Sequence, residues 1–232
     1  MRSLFIPLLI AVQFLTRLPV SFLLAQANVH NDIYTLENQS RSLKYYPLVG
    51  FIIGAILTAF IFIMDSFAST HTIYIATLSI FLWVGLTGGL HLDGVADMAD
   101  AWVGGLGDKD KTLRIMKDPT CGPFGVIAIV FTILFKLVFV YELINISPWL
   151  MLLPPLLSRC GVVVLLMFIP YARPQGMGSD LNATPHKYKN MISVVVFIVT
   201  ALSLLVLFSN TVVLLGTIAA SILFYILFTL NV

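Results

Sequence analysis

Residues 88–125 read GGLHLDGVADMADAWVGGLGDKDKTLRIMKDPTCGPFG, a polar stretch set in an otherwise apolar chain. It holds Asp93, Asp97, Asp100, Asp108, Asp110 and Asp118, six of the eleven acidic residues. It also holds Lys109, Lys111, Arg114 and Lys117, four of the thirteen lysines and arginines. Asp93, Asp97 and Asp100 are spaced four and then three apart, which on an α-helix places all three carboxylates on one narrow face. Like charges that close repel, so the face calls for a cation. Mg2+, or Mn2+ in its place, is a hard ion that takes oxygen ligands and commonly carries substrate phosphates. The competing reading is a solvated acidic helix end. The abruptness of the interruption in a hydrophobic chain favours the metal.

The flanks of this stretch set the class. The 232 residues are 59% hydrophobic and 10% charged, with a mean hydropathy of +1.00, whereas soluble domains carry about 25% charged residues. A soluble globular domain is excluded. Upstream lie apolar runs at 72–90 and at 46–64, the latter with Gly50 and Gly54 in a G-x-x-x-G arrangement that allows close helix contact. Downstream, residues 123–144 contain Lys136 and Glu142, and residues 148–169 contain Pro154, Pro155 and Arg159. Residues 192–230 are too long for one span, and Ser209-Asn210-Thr211 divides them in two. Residues 4–24, with Pro7, Gln13, Arg17 and Pro19, read as a broken, re-entrant or interfacial helix rather than a cleaved leader, for want of a small-residue cleavage site. The expected fold is all-α: a polytopic transmembrane helix bundle of six spans plus that N-terminal helix. It is a single integral membrane domain, 1–232, with a catalytic loop at about 91–122. Cys121 and Cys160 have no metal-like spacing.

Lysine and arginine counts orient it. Loop 25–45 carries Arg41 and Lys44, the acidic stretch its four cations, and loop 170–191 Arg173, Lys187 and Lys189. Loops 65–71, 145–147 and 209–211 carry none. The charged loops and the C-terminus are therefore expected on the cytoplasmic side. No internal repeat is evident, which speaks against a transporter built from inverted repeats.

Several side chains bear chemistry. Arg114, Lys117 and Asp118 stand at i, i+3 and i+4 ahead of Pro119, reading as a helix that ends there. A cationic pair beside an acidic face suits a phosphoanhydride; the alternative is that both cations only snorkel. His91 is a base or substrate contact if the helix begins at Asp93, and a packed neutral histidine if it begins earlier. Asp108 and Asp110 read as a solvated turn. Lys136 and Arg159, ionisable groups in apolar spans, are expected to reach the site between helices, with Glu142 solvated near the far interface. Gly94 is expected to mark a close backbone approach or a kink, and Gly122, Pro123 and Gly125 to shape the entrance to the next span.

The stretches GGLHLDGVADMADAW (88–102) and RIMKDPTCGPFGV (114–126) resemble the signature of the cobalamin synthase family, the adenosylcobinamide-GDP ribazoletransferases. QFLTRLPV (13–20), YYPLVGFIIG (45–54), LLSRC (156–160) and YARPQGMG (171–178) extend the likeness over nearly the whole chain. The resemblance implies a multi-pass enzyme of a bacterial or archaeal cytoplasmic (inner) membrane, with its active site facing the cytoplasm. Such an enzyme joins adenosylcobinamide-GDP to α-ribazole or α-ribazole 5′-phosphate, releases GMP and uses Mg2+. Carried over, Asp93, Asp97 and Asp100 become metal ligands and, with His91 and Lys117, the catalytic set. Arg114, Asp118, Arg17, Arg173 and Arg159 become substrate contacts. Membrane lipid is an expected partner and nucleic acid is not; a homo-oligomer or association with other cobalamin-assembly enzymes is compatible with it. The motif at 93–100 is also similar in outline to that of CDP-alcohol phosphotransferases, but those have Ala-Arg where this chain has Met98-Ala99-Asp100. An ion-coupled transporter, the other alternative, would spread its charges near mid-span. The resemblance further implies a C-terminal segment of the form GG-x-TGD-x-x-GA. This chain stops at Asn231-Val232 where that segment would begin, so little activity is expected of this form.

Overall fold

Gly50 and Gly54 decide the closest helix contact. In the computed structural model, which describes residues 2–20, 34–67, 71–169 and 198, both lie on a helix of 22 residues, Tyr46–Phe67. A Cβ on Gly50 would stand 2.6 Å from the Pro155 carbonyl oxygen, and one on Gly54 would stand 2.8 Å from Leu152 Cα. Where lipid removes the hydrophobic drive between helices, such small-residue contacts are what let backbones pack. Gly54→Ala is therefore expected to cost about 1–3 kcal/mol, the usual range for overpacking, read as a lowered thermal unfolding temperature in detergent. Gly161→Ala, where an added Cβ meets nothing within 4 Å among the described residues, should be neutral or stabilising.

Among the described residues the regular structure is all helical, with no strand. In chain order the helices are α1 (Arg2–Leu15), α2 (Leu36–Ser42), α3 (Tyr46–Phe67), α4 (Thr72–Thr87), α5 (Leu90–Gly105), α6 (Lys109–Ile115), α7 (Pro123–Ile146) and α8 (Leu153–Phe168). Short 3-10 turns at Leu43–Tyr45 and Pro148–Leu152 lead into α3 and α8. The core gathers Val49, Ile53, Leu57 and Ile61 of α3 against Leu156, Cys160 and Val163 of α8.

The six expected spans are met in part. Among the described residues, Glu37–Phe67, Pro123–Ile146 and Pro148–Phe168 are long and apolar enough to cross a membrane, and α4 with α5 makes a fourth if that bent pair counts as one span. The two spans expected within 192–230 lie outside the described residues, apart from Ile198, which packs on the core. Loop 25–45 is corrected from residue 36 onward. Thr35 caps α2, its hydroxyl oxygen accepting from the Asn38 N–H at 3.1 Å, and Glu37 pairs with Arg41 one turn later at 2.5 Å. The helix then continues through the 3-10 turn into α3. α1, at fourteen residues, is too short to cross alone, in keeping with a broken or interfacial helix; residues 21–24 lie outside the described residues.

Candidate active site at the broken span

The expected span 72–90 stops at Thr87. Gly88 (φ 64°) and Gly89 (φ 69°) both take the left-handed conformation, which glycine adopts without a Cβ penalty. The axis turns by 87° between α4 and α5. Sixteen residues of α4 reach only about 24 Å at 1.5 Å per residue, short of the ~30 Å hydrocarbon core. The turn thus interrupts an apolar stretch that, with α5, has the length and composition of one span, and inside a bilayer non-helical backbone is tolerated only against protein or a water-filled cavity. Arg17 comes to this turn: its backbone N–H donates to the Leu86 carbonyl at 2.8 Å, and a Cβ on Gly88 would run into its side chain.

α5 runs antiparallel to α7, pinned at both ends. At the far end Asp100 Oδ2 accepts from the Gly122 N–H at 2.7 Å and Oδ1 from the Gly125 N–H at 2.9 Å. Those donors are unsatisfied amides of the first turn of α7, whose own N-cap, Gly122, offers no side chain. Asp100 supplies the missing cap from another helix, and its charge faces the positive end of the α7 dipole. At the near end the Lys136 ammonium of α7 lies 2.5 Å from His91 Nε2. The Thr87 hydroxyl donates to the Trp83 carbonyl at 3.0 Å, so its oxygen accepts from His91 Nδ1–H, 3.3 Å away. The network thus assigns His91 as the neutral Nδ1–H tautomer, with Nε2 receiving a proton donor from Lys136. Lys136 also lies 4.4 Å from the Trp83 ring centroid, a cation–π contact. Arg159 stands within electrostatic reach of both His91 and Lys136. Its Nη1 donates to Ser158 Oγ at 2.7 Å, and its buried Nε has no partner among the described residues.

The sequence-derived site residues separate accordingly. The helix begins at Leu90, which realises the packed-histidine alternative for His91, about 160° around the axis from Asp93. Asp93 and Gly94 are exposed and Asp97 is half-buried. Among the described residues the close approach expected at Gly94 is absent, since a Cβ there would meet nothing within 4 Å of them. The helix expected to end at Pro119 ends at Ile115, leaving Lys117 and Asp118 beyond it; a residue before proline is driven out of helical conformation. Arg114, Lys117 and Asp118 are exposed. The Asp118 carboxylate accepts from the Thr120 hydroxyl at 2.6 Å and the Thr120 N–H at 3.0 Å, and these bonds, the hydroxyl's first, hold it below the usual carboxylate range. Asp108 caps α6, accepting from the N–H groups of Asp110 and Lys111. Glu142 is exposed. Arg173 lies outside the described residues.

Among the described residues, no three His, Cys, Asp or Glu side chains are grouped so as to hold a metal ion. Asp100, with both oxygens taken by α7, acts as a helix cap. Asp93 is exposed and Asp97 half-buried on the same helix, and two carboxylates suffice for Mg2+ when waters and substrate phosphates complete its shell. Sequence reasoning missed the Asp100 cap and the Trp83–Thr87–His91–Lys136 chain. A signal for the first was present: Gly122-Pro123 opens a helix with proline at its first position and no side-chain cap of its own.

These features define a helical multi-pass membrane protein whose ionisable groups gather where one span breaks. The model of the cobalamin-5-phosphate synthase family matches residues 7–231, and the chain belongs to that family. An adenosylcobinamide-GDP ribazoletransferase of Acinetobacter baumannii is 44% identical over 177 residues, which is 76% of this chain and 67% of that protein. One of Pseudomonas aeruginosa is 44% identical over 182 residues, 78% of this chain and 70% of that protein. One of Stutzerimonas stutzeri is 41% identical over 179 residues, with 77% and 69% covered. No solved structure matches.

Proposed function

We propose that this chain is an adenosylcobinamide-GDP ribazoletransferase: it transfers the cobinamide phosphate of adenosylcobinamide-GDP to α-ribazole or α-ribazole 5′-phosphate and releases GMP. The observation that carries this is the family match over residues 7–231, with relatives of that name at 44% identity. In the reaction an acceptor ribose hydroxyl attacks the phosphorus that bears cobinamide, the phosphoanhydride bond to GMP breaks, and the hydroxyl proton is lost. Mg2+, with Mn2+ as substitute, is proposed on Asp93 and Asp97, where it would neutralise charge on the phosphoryl oxygens. Arg114 and Lys117, exposed on the following turn, and Arg17 at the glycine turn are proposed to hold substrate phosphates as charged hydrogen-bond donors. His91 is not assigned as the base, because its Nε2 is engaged by Lys136. The distribution of Lys and Arg among the loops supports an active site on the cytoplasmic side of a bacterial or archaeal inner membrane.

Purified protein in proteoliposomes, given adenosylcobinamide-GDP, α-ribazole and Mg2+, should form adenosylcobalamin and GMP in equal amounts. Turnover of a CDP-alcohol in their place, or uptake of a solute with no GMP formed, overturns the reading.

A further inference from the structure

Leu106, at the turn between α5 and α6, has φ 50°. That is the left-handed region, where a Cβ is disfavoured and glycine is the usual occupant. Glycines stand at 104, 105 and 107, so a leucine holds the one position of this turn that glycine would fill without strain. Its side chain is 82% exposed among the described residues. Strain retained at a single residue points to function, and an exposed leucine is favoured only where something apolar receives it.

The surroundings say what that is. Trp102 is 67% exposed and Phe124 49% exposed among the described residues. The bonds from the Gly122 and Gly125 amides to Asp100 hold the end of α5 level with the first turn of α7. α7 is long and apolar enough to cross a membrane, and a span begins where hydrocarbon gives way to headgroups. Trp102 and Phe124 therefore share the level at which aromatic side chains form interfacial belts. Trp102 lies about 180° around α5 from Asp93 at 100° per residue, so this apolar edge faces away from the carboxylate proposed to hold the ion.

The edge is also positively charged. Lys109 and Lys111 are exposed on α6. Thr112 and Ile115 lie where a Cβ on Gly105 or Gly104 would stand, so α6 packs closely on the end of α5 and keeps its lysines near the turn. Residues 106–117 hold four cations against Asp108 and Asp110, a net charge of +2, and Asp108 is engaged as the α6 cap. Apolar side chains at the level where a span starts, with cations just beyond them, complement acyl chains below and anionic phosphodiester headgroups above.

We propose that Trp102, Leu106 and Phe124 insert at the membrane interface while Lys109 and Lys111 engage anionic phospholipid headgroups. The α5–α6 turn is then a lipid anchor for the helix that bears the aspartates. The anchor goes beyond the transferase reading and is independent of it, because no substrate takes part. Arg114 and Lys117 stay with the substrate phosphates.

The test is tryptophan quenching by lipids brominated on their acyl chains, in phosphatidylcholine proteoliposomes. The Trp102 signal is the difference between wild-type protein and Trp102→Phe, which cancels Trp83 and Trp149. Brominated phosphatidylglycerol is expected to quench this signal about 5-fold more effectively than brominated phosphatidylcholine at the same mole fraction, the preference that one lysine gives near an anionic surface. Lys109→Gln combined with Lys111→Gln should remove the preference, and so should raised salt. Equal quenching by the two lipids, or a preference that survives in the double variant, overturns the proposal. No quenching by either lipid shows the edge covered by protein, whether a second copy or another part of this chain, and overturns it too. Leu106→Gly supplies a measurement that needs no lipid. Relieving the left-handed strain should leave the unfolding temperature in detergent unchanged or raised. A lowered temperature would mean that the protein itself uses the leucine side chain, and the anchor fails.

Discussion

Asp93→Asn is expected to lower turnover about 10²–10³-fold, the loss seen when one preorganised charge-stabilising group is removed from a transition state, while the unfolding temperature in detergent hardly moves. The two expectations come from different features of one carboxylate. Asp93 is exposed, and its side chain forms no hydrogen bond among the described residues, so asparagine removes charge without breaking a contact. Two small electrostatic terms then nearly cancel. Losing a negative charge from the first turn of α5 forfeits about 0.3–1 kcal/mol of helix-dipole stabilisation. Relieving repulsion from Asp97, four residues on, returns about 0.2–0.5 kcal/mol. A net change below about 1 kcal/mol in stability cannot account for a hundredfold loss of rate. GMP release and thermal unfolding measured on the same preparation separate them. Unimpaired release by Asp93→Asn would remove this residue from the mechanism.

What was legible in the sequence follows the range of the forces involved. Apolar length is a local property, and the runs at 46–64, 123–144 and 148–169 appear as helices close to those bounds. The Gly50–Gly54 pair was legible as a contact but not as a contact with Pro155 and Leu152, because partner choice is tertiary. The glycine pair at 88–89 falls inside the expected span 72–90. Only the two left-handed φ values show that it turns the axis by 87° and severs the span. The helix from Leu36 was hidden by polar composition, although Thr35 and the Glu37–Arg41 spacing marked its start. Asp93, Asp97 and Asp100 do lie on one helix, α5, yet proximity on a wheel does not tell what each residue meets. Asp100 meets amides 22 and 25 residues away, and no periodicity reports that.

That long-range cap sets the second large expectation. Asp100→Ala should destabilise the protein by about 2–4 kcal/mol, because two charge-assisted bonds to amides are lost together, each worth about 1.5–3 kcal/mol before relaxation, and the first turn of α7 is left without a cap. Asp100→Asn should fall between, since it keeps one acceptor oxygen and turns an NH2 donor toward an N–H. Hydrogen exchange localises the loss: the amides of Gly122 and Gly125 should exchange faster in both variants, most in Asp100→Ala, while those in the middle of α7 change less. A carboxylate that served only as a metal ligand would behave otherwise. Its removal would leave those amides protected as before and would abolish any rise in unfolding temperature on adding Mg2+. Here that Mg2+-dependent rise is expected to persist in Asp100→Ala and to vanish in Asp93→Asn, because the first residue joins two helices and the second is the exposed carboxylate proposed to hold the ion.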